Sequence, residues 1–283
     1  METIFRPATH ADLPECLEVF GEANTDMCLR HHLTPPGPVN PYRIAVHEHL
    51  LNTGILHVAQ RGDCIAAFAA AIVRGRTWFL GGFWCRPEMQ KQHIGMRLLR
   101  GVWEAGRQAG ARVWFVWASS DFPAMSAYMK LGMLPGCQIM AFEGKSSAAA
   151  PDGYTTASLQ KATVMRIDRV VLGSPREPDH DFFLRMGYQG AQVLRGAAAV
   201  GYFYTREGTV GPAAWTHPTH AHGVLALACK GQEQVDLRVP GMNHDAIRFG
   251  FAAGLRLARP SHLLMSGPFG HLERYIPSGP YLF

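Results

Sequence analysis

Between Cys85 and Leu99 the chain runs from an apolar stretch through the polar turn Arg86-Pro87-Glu88-Met89-Gln90-Lys91-Gln92-His93 into a segment with helical apolar spacing. A strand that turns into a helix aims the unbonded N–H groups of the first helical turn at one spot, which suits a phosphate or pyrophosphate. Lys91 and Arg97 add positive charge nearby. An ordinary surface turn ahead of a helix has the same local pattern, so the flanking elements must separate the two. Histidines offer another chemistry. His47 and His49 are close in sequence, yet i and i+2 on a helix point apart and share no ligand direction. His217, His220 and His222 could invite zinc, but no acidic or cysteine ligand stands beside them. The six cysteines (Cys16, Cys28, Cys64, Cys85, Cys137, Cys229) contain no C-x-x-C and no framework spacing, as expected of reduced, mostly buried thiols.

The elements around the turn follow from periodicity. Ile4 to Arg6 reads as a strand, and Thr9 to Asp12 offer N-cap residues for a helix with Leu13, Cys16, Leu17 and Phe20 at helical spacing. Prolines and Gly37 break the chain between His31 and Pro41, after which Tyr42 to Leu51 can resume as a helix. Ile55 to Gln60 and Cys64 to Val73 flank Arg61-Gly62-Asp63 as a hairpin. Thr77 to Cys85 is a third strand, in which Gly81-Gly82 suggests a bulge or a close approach to the backbone. The helix after the turn runs from Ile94 to Gln108, with Leu98, Leu99, Val102, Trp103 and Gly106 facing inward and Gly110 ending it. Arg112 to Ala118 suits a buried strand parallel to its neighbour. Ser120 or Asp121 caps a further helix ending at Leu131-Gly132, and Gly136 to Phe142 is another strand.

Small and polar residues from Glu143 to Gly153 make the best linker in the chain. At 283 residues, two domains are expected. The boundaries read as 1–145, a linker at 146–153, and 154–283. The second part repeats the first at low similarity. Gln192 to Tyr204 parallels the hairpin, Thr209 to Trp215 the strand before the turn, Gln234 to Val239 the buried parallel strand, and Asn243 to Leu257 the late helix. Its counterpart of the polar turn, His217 to Gly223, is shorter and poorer in glycine.

Composition excludes several classes. With 47% hydrophobic and 17% charged residues the chain is not disordered. A net charge of +5 is spread without a basic run, which argues against nucleic acid and fits mild attraction for an anionic ligand. The N-terminal residues lack a basic and an apolar leader region, and no apolar segment reaches membrane-spanning length. The expectation is a cytoplasmic protein with no membrane or nucleic-acid partner.

The element order and two motifs resemble the GNAT family of N-acetyltransferases over residues 1–143. The family's acyl-CoA signature, Arg or Gln, two variable residues, Gly, one variable residue, and Gly or Ala, matches Gln90, Lys91, Gln92, His93, Ile94 and Gly95, with Cys85-Arg86-Pro87-Glu88 ahead of it. His93 replaces the family's glycine. The late-helix pattern Ala-x-x-x-Tyr-x-Lys-Leu-Gly-Phe matches Ala124 to Met133, with Met133 in place of Phe. The resemblance implies an α/β chain of two tandem GNAT-like domains, each a mixed, mostly antiparallel sheet flanked by helices. It also implies that acetyl-CoA or another acyl-CoA is co-substrate and no metal is needed. Phe83, Trp84 and Cys85 would pair with the pantetheine arm, the loop with Met96 would take the pyrophosphate, and Tyr128 would be the general acid. The second half is similar to the accessory C-terminal domain of tandem bacterial acetyltransferases, which does not usually carry the donor site.

The acceptor would be a small-molecule or peptide amine. No base is evident, so Glu22, Asp26, His57 and Ser119 remain candidates, and Trp78, Trp84, Trp117 and Phe122 would form either an aromatic cleft or plain core. A noncatalytic CoA-binding or regulatory module is the alternative function. The oligomeric state stays open.

Overall fold

The computed structural model describes residues 2–35, 37–38 and 40–283, so Pro36 and Val39, inside the expected proline-rich break, and Met1 lie outside it. The chain divides into two compact units, residues up to Val116 with Ser120–Met133, and Trp117–Ser119 with Leu134–Phe283. Both contain mixed, mostly antiparallel sheet flanked by helices.

The first unit runs β1 (Thr3–Pro7), α1 (Leu13–Arg30), α2 (Pro41–Thr53), β2 (Ile55–Arg61), β3 (Cys64–Arg74), β4 (Thr77–Cys85), α3 (Ile94–Gln108), β5 (Val113–Ala118, in this unit through Val116) and α4 (Phe122–Lys130). Sheet order is β1-β2-β3-β4-β5, with β4 and β5 parallel and the other pairs antiparallel. Side chains alternate across the sheet, so the two faces are read from contacts. Phe68 and Trp84 face α2 and α1 through His47 and Phe20. Trp78 faces α3, where a Cβ on Gly106 would lie 2.3 Å from its ring. The expected irregularity at the paired glycines is a β-bulge, because Ala70 pairs with Gly82 and Ala71 with Leu80, leaving Gly81 as the extra residue. The bulge moves the alternation by one place. Phe83 therefore continues the α3 face set by Trp78 and Leu80.

The second unit contains β6 (Leu134–Gly144), β7 (Tyr154–Ser158), α5 (Lys161–Leu172), α6 (Glu177–Arg185), β8 (Gln189–Arg195), β9 (Ala198–Arg206), β10 (Thr209–Trp215), α7 (Ala221–Cys229), β11 (Val235–Pro240), α8 (His244–Ala252), β12 (Arg256–Leu257), β13 (Ser261–Met265) and β14 (Tyr275–Ile276). From β7 to α8 it repeats the β1-to-α4 order, including a parallel pair, β10 with β11. One strand departs from the sequence expectation. β6 follows the first unit's last helix yet pairs with β11 through the whole run Val235↔Gly144 to Pro240↔Ile139, and its ring Phe142 packs under Gly250 and Phe251 of α8. The compact units thus divide at Met133, ahead of the polar linker. Ile139, Ala141 and Phe142 are buried in this packing, and that burial sets the strand's partner.

Candidate active site

The polar turn leaves β4 through a short 3-10 turn at Pro87–Met89 and enters α3 at Ile94. Two side-chain-bearing residues in it are left-handed, Lys91 at φ 61° and His93 at φ 63°, ψ 2°. His93 is the N-cap of α3 without a side-chain capping bond, and Arg97 N–H makes the first helical bond to its carbonyl. The N–H groups of Ile94, Gly95 and Met96 precede any possible intrahelical acceptor and face out of the helix end. Lys91, Gln92 and His93 are exposed there, while Ile94 is buried and holds the helix to the sheet.

Side chains brace the turn. Gln90 donates to the carbonyl of Cys85 at 3.2 Å, closing the turn on the end of β4. Gln92 donates to Glu88 O and accepts from Arg61 Nη1 at 2.6 Å. Arg86 is committed elsewhere: it donates to Ile65 O and to Glu22, and pairs with Glu15 of α1. Arg97 lies over the Phe5 ring at 4.4 Å.

Beyond Leu80↔Val116 the register of β4 with β5 ends, and Phe83, Trp84 and Cys85 pair with β3 alone among the described residues. Apart from Cys85 O, which accepts from Gln90, their other edge has no strand partner among the described residues and can bond an extended group as a strand does. Phe83 joins the site together. A Cβ on Gly95 would lie 3.1 Å from its ring, and its centroid is 6.0 Å from that of Tyr128. Tyr128, 6% exposed, thereby reaches the same place from α4, whose end is fixed by Leu131 and Met133 N–H bonding back to Tyr128 O around left-handed Gly132. Burial, and then the charge of Asp121, push the Tyr128 hydroxyl well above its ordinary pKa, so it stays protonated. Burial likewise raises the Cys85 thiol to about 11, which leaves it inert as a nucleophile.

Several other expectations change. Trp78 is fully buried core against α3, Phe122 is 70% exposed, and Trp117 belongs to the second unit, where it donates to Ser261 and meets Phe283 edge-on. Trp84 meets Phe20 edge-on. Glu22 is held by Arg86 and Asp26 by Arg30. His57 faces α3, 3.7 Å from where a Cβ on Gly101 would be, with its pKa lowered by burial. Ser119 lies in the second unit. His217, His220 and His222 each take a different partner: His217 with Thr219, His220 with Tyr154, His222 with Ala149 O. Among the described residues no three ligand-type side chains gather to hold a metal.

Within the second unit the corresponding strand edge is covered. β10 pairs with β11 only at Thr209 and Val210. At Ala213 and Ala214 it has β9 on one side and β14 on the other. Asn243 donates to Tyr275 O and Arg274 to Thr216 O, fixing β14 in that place. A Cβ on Gly223 of α7, the counterpart of Gly95, would lie 2.4 Å from the Tyr154 ring.

These features define a mixed α/β fold whose first unit leaves one strand edge open beside a helix N-terminus. Residues 25–133, most of which lie in the first unit, match the model of the acetyltransferase (GNAT) family. Among solved structures it is similar to a proposed acetyltransferase from Pyrococcus horikoshii, at 17% identity and TM-score 0.80, over 99% of this chain and 96% of that one. A GCN5-related N-acetyltransferase from Sphaerobacter thermophilus aligns at 16% identity and TM-score 0.62, over 96% and 98%. A tandem GNAT protein of the clavulanic acid biosynthesis pathway aligns at 14% and 0.59, over 94% and 99%. At these identities the likeness is one of fold. No curated protein matches the sequence.

Proposed function

We propose that the chain is an acyl-CoA-dependent N-acyltransferase that takes acetyl-CoA as donor and a small-molecule or peptide amine as acceptor, with the donor held in the first unit. What supports this most is the meeting of three features around Phe83: the unpaired edge of β4, the open first turn of α3 at Gly95, and Tyr128. The pantetheine arm would bond along Phe83, Trp84 and Cys85, and the pyrophosphate would sit on the turn Gln90 to Met96, where N–H groups and the helix dipole favour negative charge. Gly95 has to be small because Phe83 already fills the space a side chain would need.

Acyl transfer needs a held donor, a base for the ammonium, and a proton for the departing thiolate. Tyr128 would supply that proton. A buried phenol with a raised pKa is neutral at pH 7 and so carries the proton, but the same shift makes the transfer uphill, and the thiolate must be held against the hydroxyl to take it. In the second unit β14 occupies the corresponding edge, so we assign that unit a structural role and expect one donor per chain.

A noncatalytic CoA-binding or regulatory module is the second reading, favoured by left-handed His93 where the family has glycine. Thermal unfolding with acetyl-CoA tests donor binding: a ligand at a hundred times its Kd stabilises by about 2.7 kcal/mol. No rise in midpoint at millimolar acetyl-CoA would overturn both readings. Tyr128→Phe separates them, since unchanged thiol release would favour the noncatalytic module.

A further inference from the structure

Of the base candidates named from sequence, two are ion-paired, one faces α3 and one lies in the other unit, and a different side chain stands at the end of α1. Resting on the acyltransferase reading above, we propose that His31, held by Asp121, is the general base that takes the proton from the acceptor ammonium. His31 is the C-cap of α1, and its N–H bonds back to Met27 and Cys28 carbonyls, which fixes where its side chain leaves the helix. Its Nε2 is 3.3 Å from Asp121 Oδ1, and the imidazole is 20% exposed. Arg30 Nη1 reaches the same carboxylate oxygen at 2.9 Å, while Arg30 Nε bonds Asp26. The Phe122 ring stands edge-on to the imidazole at 6.3 Å. The charged and titratable groups around His31 are therefore Asp121 from α4 and Arg30 with Asp26 from α1.

A carboxylate that accepts from one imidazole nitrogen fixes the tautomer and leaves the other nitrogen, here Nδ1, unprotonated and able to accept. Asp121 also caps α4, accepting from Ala124 N–H. From Asp121 to Tyr128 is seven positions, two helical turns to within about 20°, so both lie on one face of α4, about 10 Å apart along the axis. The charge of Asp121 acts on the Tyr128 hydroxyl, which places the two ends in electrostatic reach of each other. Through Asp121, His31 is thus tied to the start of the helix that carries Tyr128.

The ammonium gives one proton to His31 Nδ1, directly or through one water. The freed amine attacks the thioester carbon, the C–N bond forms and the C–S bond breaks. The thiolate takes the Tyr128 proton, and the tyrosinate regains one from the new amide nitrogen. His31 returns its proton to solvent.

The test measures thiol release from acetyl-CoA between pH 6 and 9 with spermidine, glucosamine, lysine or phenethylamine as acceptor probe, and with water alone. Wild type should rise with pH and then level off within this range. His31→Gln, which can still donate to Asp121, should bind acetyl-CoA within twofold, fall about a hundredfold at pH 7, and climb steadily to pH 9. His31→Ala should regain about tenfold with added imidazole, which a purely structural role would not allow. A His31→Gln rate within threefold of wild type, with the same pH profile, overturns the assignment alone. A wild type that releases thiol neither with these amines nor with water overturns the acyltransferase reading and the assignment with it.

Discussion

His93→Gly is the substitution whose consequence can be worked most fully from the structure. His93 sits at φ 63°, ψ 2°, a conformation that costs a side-chain-bearing residue about 1–2 kcal/mol because Cβ crowds the following carbonyl. Glycine removes that cost but gives back about 0.5–1 kcal/mol through its freer unfolded chain. The imidazole makes no capping bond, so nothing else is lost there. The net is a gain of about 0.5–1 kcal/mol, read as a rise of about 1–4 °C in thermal midpoint. If the same geometry holds the pyrophosphate, acetyl-CoA affinity in a calorimetric titration should stay level or rise by up to about fivefold. His93→Ala keeps the strained backbone and should stay within about 0.5 kcal/mol of wild type. A folded His93→Gly protein with a lower midpoint would refute the strain argument, and one with fivefold weaker affinity would show that the imidazole itself binds phosphate.

Tyr128→Phe keeps the ring against Phe83 and removes only the hydroxyl; kcat should fall about a hundredfold or more with acetyl-CoA affinity unchanged, and a loss confined to affinity would instead mark a packing role. Gly106→Ala drives a methyl to 2.3 Å from the fully buried Trp78 ring, and urea unfolding should show a loss of about 1–3 kcal/mol that unchanged stability would contradict. Asp12 accepts from both Arg6 nitrogens at 2.8 Å, and that bond holds its carboxyl far below the ordinary range. Its stabilising effect is complete above the unfolded pKa of about 3.9 and is lost as pH falls below it. Asp12→Asn should therefore be less stable at pH 7 and flatter between about pH 4 and 2, and parallel stability curves would count against the pairing.

Local signals carried much of the fold. The hairpin, the Gly81 bulge, the span of α3 and the parallel β5 are fixed by alternation, glycine and helical period within a few residues. The residues of the proposed donor side could be named for the same reason, since Gln90 to Gly95 and the end of α4 are contiguous motifs. What local pattern could not carry was the choice of distant partners. β6 has the alternation of a strand, but nothing in Leu134–Gly144 says that it pairs with β11 of the second unit. β14 is two residues long, too short for any periodic signal, yet it covers the β10 edge. His57 and His31 look alike in sequence, and the face that His57 takes on β2, toward α3, shows only in the structure. The His31–Asp121 pair spans a sequence separation of 90, with a proline-rich break as its sole local hint.

A structure of the protein with acetyl-CoA bears most directly on the central claim. The account predicts one donor per chain, with pantetheine along the Phe83–Cys85 edge, pyrophosphate on the N–H groups of Ile94, Gly95 and Met96, and the thioester sulfur within hydrogen-bond reach of the Tyr128 hydroxyl. Acetyl-CoA bound against β10 of the second unit, or in the first unit with its sulfur away from Tyr128, would contradict it.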